Sequence, residues 1–223
     1  MNYIRPVDFK NSHLIANLVD QSITESRPAL RNSPQVNLRN LWDQDPSGQT
    51  IPEDLVPADM NKEFTHRFNR VIELHGKKAK FDQCKISDEL AGQLDLLLPD
   101  SLRQQQHRYT VQFLYDGNQV TPHKDQLRRC SLFYLFTEPN AKTTWWIKKE
   151  QFKEYDNLRY GDIDKLELAH TKIIQKGQWY LFNQEEYHSV QLFPDAPKNR
   201  VSVLIEFAEL SADQVYGLLY DQH

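Results

Sequence analysis

The most chemically suggestive residues in the chain are a histidine and an aspartate that stand two positions apart, His123 and Asp125. They lie at the end of the segment 115–125, whose residues are typical of a strand end, a turn and the start of another strand. In an extended chain, residues two apart point to the same face, so this spacing places an imidazole and a carboxylate side by side. The stretch therefore predicts two ligands of a metal site, against the alternative of a chance pair on a solvated strand edge.

A third ligand is predicted from the order of the strands downstream. His188 begins the seventh of eight predicted strands, and in a jelly roll that strand lies beside the second, which carries His123 and Asp125. Two imidazoles and one carboxylate leave open positions on a metal, which suits non-haem Fe(II). Zinc is more often enclosed in a tetrahedral site with Cys or His ligands. His107 and His170 are rival imidazoles, but each lies at the edge of its strand-like run and lacks a matching partner.

An arginine further along the chain suggests what fills the open positions. Arg200 lies twelve residues after His188, and Ser202 follows on the same face of the last predicted strand. A guanidinium beside a hydroxyl suits a carboxylate, so a dicarboxylate would chelate the metal at one end and meet Arg200 at the other. The alternative is a solvated strand end. An inward-pointing Arg200 is favoured because four apolar residues form the opposite face of this strand: Val201, Val203, Ile205 and Phe207.

The elements that must position these residues are β-strands, because the apolar period changes from helical to alternating near Arg108. Polar turns separate the strand-like runs. Eight such runs predict a mainly β fold with some α structure: a double-stranded β-helix, or cupin-like jelly roll, whose mouth can hold a metal. Residues 149–165 are predicted to be an insertion between strands. The eight runs are 108–115, 120–125, 130–136, 143–148, 166–174, 178–183, 188–193 and 200–208.

Upstream of the strands, the chain is predicted to supply supporting helices. Apolar residues recur at helical spacing after Asn11 and Ser12, around Phe64, and after Ser87, which is a good N-cap. Residues 27–60 carry several prolines and isolated hydrophobes, so we expect a long ordered loop that either covers a pocket or packs on the surface. The predicted organisation is a single domain over 1–223, with helices and loop in 1–107, the jelly-roll core in 108–208 and a C-terminal helix in 209–223.

Composition bounds the class of function. At 223 residues with 39% hydrophobic and 11% aromatic content, the chain can bury a core and suits one elaborated domain. Its 27 basic and 31 acidic residues are well mixed, so no overall field recruits nucleic acid or an acidic membrane. The two cysteines, Cys84 and Cys130, lack metal-type spacing, and the amino terminus shows no secretion signal. A cytoplasmic protein without membrane association is predicted.

Several motifs together resemble the Fe(II)/2-oxoglutarate-dependent dioxygenase superfamily. His123-x-Asp125, His188 and Arg200-x-Ser202 are similar to its metal and cosubstrate motifs, and the flanks resemble the prolyl hydroxylase (prolyl 4-hydroxylase-like) branch. The resemblance covers roughly 109–207. The Gly-Gly that often introduces the fourth strand in prolyl hydroxylases is absent, a departure that bears on proline as the substrate more than on the cofactor chemistry. The flanking matches are Tyr115-Asp-Gly-Asn118, the strand that runs from Arg129-Cys130 to Tyr134, 177–182, and His188-Ser-Val-Gln191.

The resemblance implies a hydroxylase that uses Fe(II), 2-oxoglutarate and dioxygen, with ascorbate as an additional cofactor. The iron would be held by His123, Asp125 and His188. The roles it implies around 2-oxoglutarate are Arg200 and Tyr134 on the distal carboxylate, Ser202 assisting Arg200, and Tyr115 near the iron end.

The resemblance leaves the substrate open: a prolyl residue of a protein or peptide, a free amino acid, or another small molecule, hydroxylated at an unactivated carbon. Arg128, Trp145, Trp146 and the 27–60 loop are candidate substrate contacts, although each also suits core packing or a solvated surface. Nucleic acid is disfavoured by the acidic net charge. Two other classes stay open. A cupin-type metalloenzyme working without 2-oxoglutarate would not need Arg200, and a non-catalytic jelly-roll binding protein would need no coherent triad.

Overall fold

A computed structural model gives the fold of the chain. No helix in the part it describes is long and apolar enough to cross a membrane. The predicted loop over 27–60 and the predicted helix around Phe64 lie outside the described residues. The described residues are 2–9, 15, 18–19, 80–84, 86–115, 119–125, 128–152, 161–195 and 200–220.

The described strands form two antiparallel sheets, one of six strands and one of four. The larger sheet has the order β1-β8-β5-β10-β3-β2 and the smaller has the order β4-β9-β6-β7. The strands are β1 (Ile4–Val7), β2 (Lys80–Cys84), β3 (His107–Tyr115), β4 (Gln119–His123), β5 (Cys130–Leu135), β6 (Ala141–Lys148), β7 (Leu166–Ile173), β8 (Trp179–Asn183), β9 (Tyr187–Leu192) and β10 (Arg200–Phe207).

From β3 to β10 the chain changes sheet at every step except the β6–β7 hairpin, which is the winding of a jelly roll. The eight strands predicted from the sequence are these eight, so the mainly β architecture is confirmed. The largest differences are at β4, which ends at His123 rather than Asp125, and at β6, which begins two residues early at Ala141. The described parts of the predicted 149–165 insertion contain two short 3-10 turns, Glu150–Phe152 and Ile163–Lys165.

Two further strands extend the larger sheet and were not predicted. β1 pairs with β8, and β2 pairs with β3, so each adds an outer strand to the jelly-roll core. The sequence analysis assigned both segments to the region of helices and loop. β1 has only four residues and includes Pro6, and β2 has the largely polar sequence Lys-Phe-Asp-Gln-Cys. Neither segment has the apolar alternation by which strands are recognised, and proline is tolerated there because the strand is at an edge.

Helices cover the outer face of the larger sheet. The described helices are α1 (Asp88–Leu97), α2 (Asp100–Arg103) and α3 (Ala212–Tyr220). The predicted N-cap of α1 is confirmed, since Ser87 Oγ accepts a hydrogen bond from the Leu90 backbone at 3.2 Å. Ser211 and Gln214 form a capping box at the start of α3, the predicted C-terminal helix. The core between these helices and the sheet includes Leu90, Leu94, Leu98, Leu102, Val203, Ile205 and Val215.

The space between the two sheets holds a second apolar cluster that fills only part of it. Trp145 on β6 is fully buried there and packs with residues of the facing sheet. On β10 the alternation matches the prediction: Val201 faces the helices, whereas Arg200 and its alternate neighbours face the gap between the sheets. The unfilled part of this gap is where the predicted site residues lie. The members of the cluster are Phe133, Leu135, Trp145, Ile174, Tyr180, Phe182 and Leu204.

Candidate metal and carboxylate site

The three predicted metal ligands lie together between the sheets. Nε2 of His123 is 3.7 Å from Oδ1 of Asp125, and Nε2 of His188 is 3.8 Å from Oδ2 of Asp125. The ligand atoms of all three residues lie within 4.8 Å of one another. Since two atoms bound at about 2.1 Å to one ion are at most about 4.2 Å apart, both nitrogen–oxygen distances suit a shared cation. The triad could therefore hold a metal ion.

Strand pairing brings the two histidines together. His123, the last residue of β4, lies directly opposite His188, the second residue of β9, and their ring centroids are 4.4 Å apart. The β4–β9 ladder shifts register between Val120 and His123, and such bulges commonly re-aim a side chain. Asp125 lies two residues beyond the end of β4, yet its carboxylate faces both imidazoles. The two-residue spacing thus predicted correctly that His123 and Asp125 lie together, although the strand itself ends earlier.

Both imidazoles are oriented by the backbone two residues before them. His123 Nδ1 lies 2.8 Å from the carbonyl oxygen of Thr121, and His188 Nδ1 lies 3.0 Å from that of Glu186. A carbonyl can only accept a hydrogen bond, so in each neutral ring Nδ1 carries the hydrogen and Nε2 carries the lone pair. Such outer hydrogen bonds fix the ring and its tautomer in metal sites. Burial, with the nearby His123, lowers the pKa of His188 to about 3, which keeps this ring neutral near pH 7.

A buried ion-pair network supports the carboxylate of the triad. Arg128 Nε donates to Asp125 Oδ2 at 2.7 Å, and the same guanidinium contacts Glu206, which is only 1% exposed and also binds Arg108. Burial alone would raise the pKa of Asp125, but the charge of Arg128, helped by the two imidazoles, holds it well below its usual range. Asp125 is therefore ionised at any pH near neutrality.

The triad opens into a cavity of about 160 Å³ between the sheets. That volume is several times the roughly 30 Å³ share of one water molecule, so the cavity has room for a small organic ligand. Aromatic side chains in its wall connect His188 with Arg200, since the Phe182 ring centroid is 5.3 Å from that of His188 and 6.0 Å from that of Phe133, over which Arg200 lies. The lining residues are Gln112, Leu114, Val120, His123, Asp125, Arg128, Phe133, Thr143, Phe182, Gln184, His188, Val190, Arg200, Ser202 and Leu204.

Arg200 marks the end of the cavity away from the triad. It begins β10, whereas Glu206, which contacts the Arg128 side chain behind Asp125, lies six residues further along, a separation of about 20 Å in an extended strand. Arg200 is 5% exposed, and no carboxylate among the described residues pairs with it. Its Cζ atom lies 5.4 Å from the centroid of the Phe133 ring. Burial lowers the pKa of Arg200 to about 10, so the group still carries its charge at neutral pH.

Two hydroxyl residues line the same cavity as Arg200. Ser202, two residues along β10, is buried and points to the same face, as predicted. Thr143 on β6 lies opposite Val190, and both Val190 and Leu114, the cross-strand neighbour of Arg200, pack against the cluster of Ala141 and Leu192. The Thr143 hydroxyl is fully buried and has no hydrogen-bond partner among the described residues. This end of the cavity therefore offers one buried cation and two hydroxyls to a ligand.

Tyr134 does not belong to this group, and its expected role beside Arg200 is corrected by the structure. Tyr134 pairs with Val203 on β10 and packs in the cluster beneath the helices, with its ring 5.2 Å from that of Trp179. Phe133, one residue earlier, is the residue of β5 that reaches the cavity near Arg200. The backbone of Tyr115 ends β3, but its side chain is outside the described part of the structure.

Three predicted substrate contacts have other partners. Arg128 lines the cavity, but its guanidinium is engaged by Asp125 and Glu206. Trp145 is buried between the sheets and donates to the Asn183 carbonyl at 3.2 Å, and Trp146 donates to Ser189 Oγ at 2.8 Å. The rival imidazoles are also elsewhere: His107 bonds Asp95 and Tyr109, and His170 stacks on Tyr3.

Three polar residues in the cavity wall were not predicted from the sequence: Gln112, Thr143 and Gln184. Thr143 was within reach, since it shares a face of the predicted strand 143–148 with the apolar Trp145. Gln112 alternates in the same way on the predicted strand 108–115. Gln184 lies in the turn between β8 and β9, where no periodicity indicates which side chain points inward.

No family model and no curated protein matches this sequence. Among solved structures, a vicilin from Solanum melongena matches at 12% identity over 60% of this chain with a TM-score of 0.34, and a second structure of that vicilin matches at 10% over 65% with 0.34. The chain spans 30% and 39% of the length of these two chains. The non-haem alpha-ketoglutarate-dependent epimerase SnoN from nogalamycin biosynthesis matches at 11% identity, covering 69% of this chain and 76% of its own, with a TM-score of 0.36. Likenesses this remote do not assign an activity.

Proposed function

We propose that the protein is an Fe(II)- and 2-oxoglutarate-dependent oxygenase that hydroxylates an unactivated carbon. The observation that carries this proposal is Arg200, a buried guanidinium that no described carboxylate neutralises, in the same cavity as a His-Asp-His triad. Burying a charge without a partner is costly, so a site that keeps one is built to receive a counter-ion. A ligand that is anionic at one end and metal-chelating at the other satisfies both ends of the cavity.

The triad suits the metal of this proposal. His123 and His188 would bind through Nε2, and Asp125 would supply the anionic ligand and leave the other coordination positions for small molecules. Iron bound there would supply the activation of dioxygen. The protein's own contribution is geometric: two backbone carbonyls orient the rings, and Arg128 holds the carboxylate in its ionised form.

The opposite end of the cavity suits the distal carboxylate of 2-oxoglutarate. Arg200 would form charge-assisted hydrogen bonds with it, and the hydroxyls of Ser202 and Thr143 would supply neutral ones. Apolar side chains such as Phe133 and Phe182 also line the cavity, and a site with little water would strengthen these bonds. The two anchoring ends would hold the keto acid with its oxo and proximal carboxylate groups turned towards the metal. As the hydroxylated substrate we propose either a prolyl residue of a protein or a free amino acid.

The test is to measure the affinity for 2-oxoglutarate with a redox-inert divalent metal bound. Arg200→Ala should weaken binding by about ten- to a hundredfold or more, since hydrogen bonds to charged groups contribute roughly 1.5–3 kcal/mol each. Arg200→Lys should restore only part of the affinity, because an ammonium lacks the planar fork of the guanidinium. Arg129→Ala is the matched control, because Arg129 is a half-exposed arginine that pairs with Glu185 and does not line the cavity.

The outcome also separates the alternatives. If Arg200→Ala retains its metal and binds 2-oxoglutarate as tightly as the wild type, the proposal is wrong and a cupin-type metalloenzyme that works without 2-oxoglutarate is favoured. If the wild type binds no divalent metal in a direct titration, the triad is structural and the chain is better described as a non-catalytic binding protein.

A further inference from the structure

Gln184 is a buried residue of the cavity wall whose side-chain oxygen has no hydrogen-bond partner among the described residues. The residue is 3% exposed, and it lines the cavity with the triad. Its Oε1 atom is buried and receives no hydrogen bond in the part of the chain that the structure describes. An unsatisfied amide in the core destabilises a fold, but in a binding site the missing partner is supplied by the ligand.

The backbone around Gln184 is held by hydrogen bonds, which fix the point at which its side chain enters the cavity. The Gln184 N–H donates to the Arg129 carbonyl at 3.0 Å, and the N–H of Glu185 donates to Asn183 Oδ1 at 3.0 Å. On the preceding side, the Asn183 carbonyl accepts the indole N–H of Trp145. Groups fixed in this way before a ligand arrives lose little entropy on binding.

Gln184 lies at the triad end of the cavity. Its backbone bonds Arg129, the neighbour of the Arg128 that holds Asp125, and the same β8–β9 turn supplies the Glu186 carbonyl that orients His188. A cosubstrate anchored on Arg200 at the far end therefore leaves Gln184 facing whatever binds beside the metal. That position belongs to the molecule being oxidised.

The chemistry around Gln184 favours a neutral partner. A carboxamide offers one acceptor oxygen and two N–H donors, the complement of another amide. Arg128, the cation at this end, is engaged by Asp125 and Glu206, and Arg200 is at the other end. Among the described lining residues, a substrate carboxylate beside Gln184 would thus meet no uncommitted cation.

We infer that Gln184 recognises the substrate and that the group it binds is a neutral amide, so that the substrate is peptide-like rather than a free amino acid. The inference rests on the proposed function, because it treats the triad as the metal site and Arg200 as the cosubstrate anchor. Gln184 would position the substrate by a pair of hydrogen bonds to its amide and would not itself exchange protons or electrons with it.

The experiment uses the full chain with Mn(II) and saturating 2-oxoglutarate under anaerobic conditions. Paramagnetic relaxation of ligand protons reports binding close to the metal without any turnover. The probes are two neutral diamides, N-acetylprolinamide and N-acetylalaninamide, each paired with its free amino acid. In the wild type we expect saturable relaxation of the diamides at affinities about tenfold or more above those of the amino acids. Gln184→Leu and Gln184→Met should weaken diamide binding by about tenfold or more.

Stability measurements distinguish a binding role of Gln184 from a structural role. Replacing an unsatisfied amide should leave the apo-protein as stable as the wild type or more so, whereas a Gln178→Leu control should destabilise it. Gln178 Nε2 donates to the carbonyls of Val7 and Trp179, so those bonds are lost in the control. The 2-oxoglutarate affinity of both Gln184 variants should equal that of the wild type.

Three outcomes would overturn the inference: equal diamide binding by the wild type and both Gln184 variants, preference for the free amino acids, or no relaxation of either diamide. Failure of the proposed function gives a different pattern. In that case the wild type does not bind 2-oxoglutarate or Mn(II) in direct titrations, whatever the probes do.

Discussion

Replacing Thr143 by valine tests the proposed carboxylate-binding end of the cavity with the smallest possible change. The substitution keeps the shape of the side chain and removes only a hydroxyl that is fully buried and has no partner among the described residues. In the absence of ligand, an unsatisfied buried polar group costs roughly 1–3 kcal/mol. We therefore expect Thr143→Val to raise the free energy of unfolding of the apo-protein, by about 1 kcal/mol if the hydroxyl finds some solvation in the cavity.

The same substitution should weaken 2-oxoglutarate binding. A hydrogen bond to a charged carboxylate contributes roughly 1.5–3 kcal/mol, which corresponds to about ten- to a hundredfold in the dissociation constant. Thr143→Val is thus predicted to be more stable than the wild type without ligand and to bind it more weakly. Opposite signs of this kind are expected for a binding residue and not for a residue that only supports the fold.

The adjacent threonine supplies a matched control. Thr144 points to the other face of β6, where its hydroxyl lies 3.3 Å from that of Thr171. Thr144→Val should lower the stability by up to about 1 kcal/mol, because a satisfied bond is lost, and should leave 2-oxoglutarate affinity unchanged. The assays are chemical denaturation of the apo-proteins and calorimetric titration with a redox-inert metal bound. Lower stability of Thr143→Val together with wild-type affinity would refute the reasoning.

Two further predictions concern the metal and the free thiol. Asp125→Ala should weaken Fe(II) or Mn(II) binding by at least about a hundredfold in a direct titration, because it removes the anionic ligand and leaves two neutral imidazoles. Unchanged affinity would exclude the triad as the metal site. Cys130 is fully buried, and burial, with Glu185, raises the pKa of its thiol to about 12. Alkylation at pH 8 followed by mass spectrometry should therefore label this thiol only after unfolding. Rapid labelling of the native protein would contradict the described packing.

The strands and the triad were predictable from the sequence because their side chains carry a visible period. On β10, polar residues at 200, 202 and 206 alternate with apolar ones, so the inward face could be assigned in advance. The face of Tyr134 could not be assigned, because all six residues of β5 are buried and a strand buried on both sides shows no polar alternation. Gln184 lies in a turn, where tertiary contacts alone decide the direction of a side chain. β1 and β2 were missed because their pairing with the core decides their conformation, more than their own composition does.

The position of β10 limits the length of the ligand that the cavity can bind. β10 is hydrogen-bonded on both sides, to β3 and to β5, and it carries Arg200 at one end and Glu206, the partner of Arg128, at the other. The extended backbone fixes the distance between these two residues, and a slip of one residue against β3 or β5 would turn every side chain to the opposite face. The strand therefore holds Arg200 and Glu206 at a fixed separation. If the cavity binds 2-oxoglutarate as proposed, a homologue that is one carbon longer cannot be accommodated by sliding Arg200, and selectivity for acid length should change only when the cation itself is moved to another position on the cavity wall.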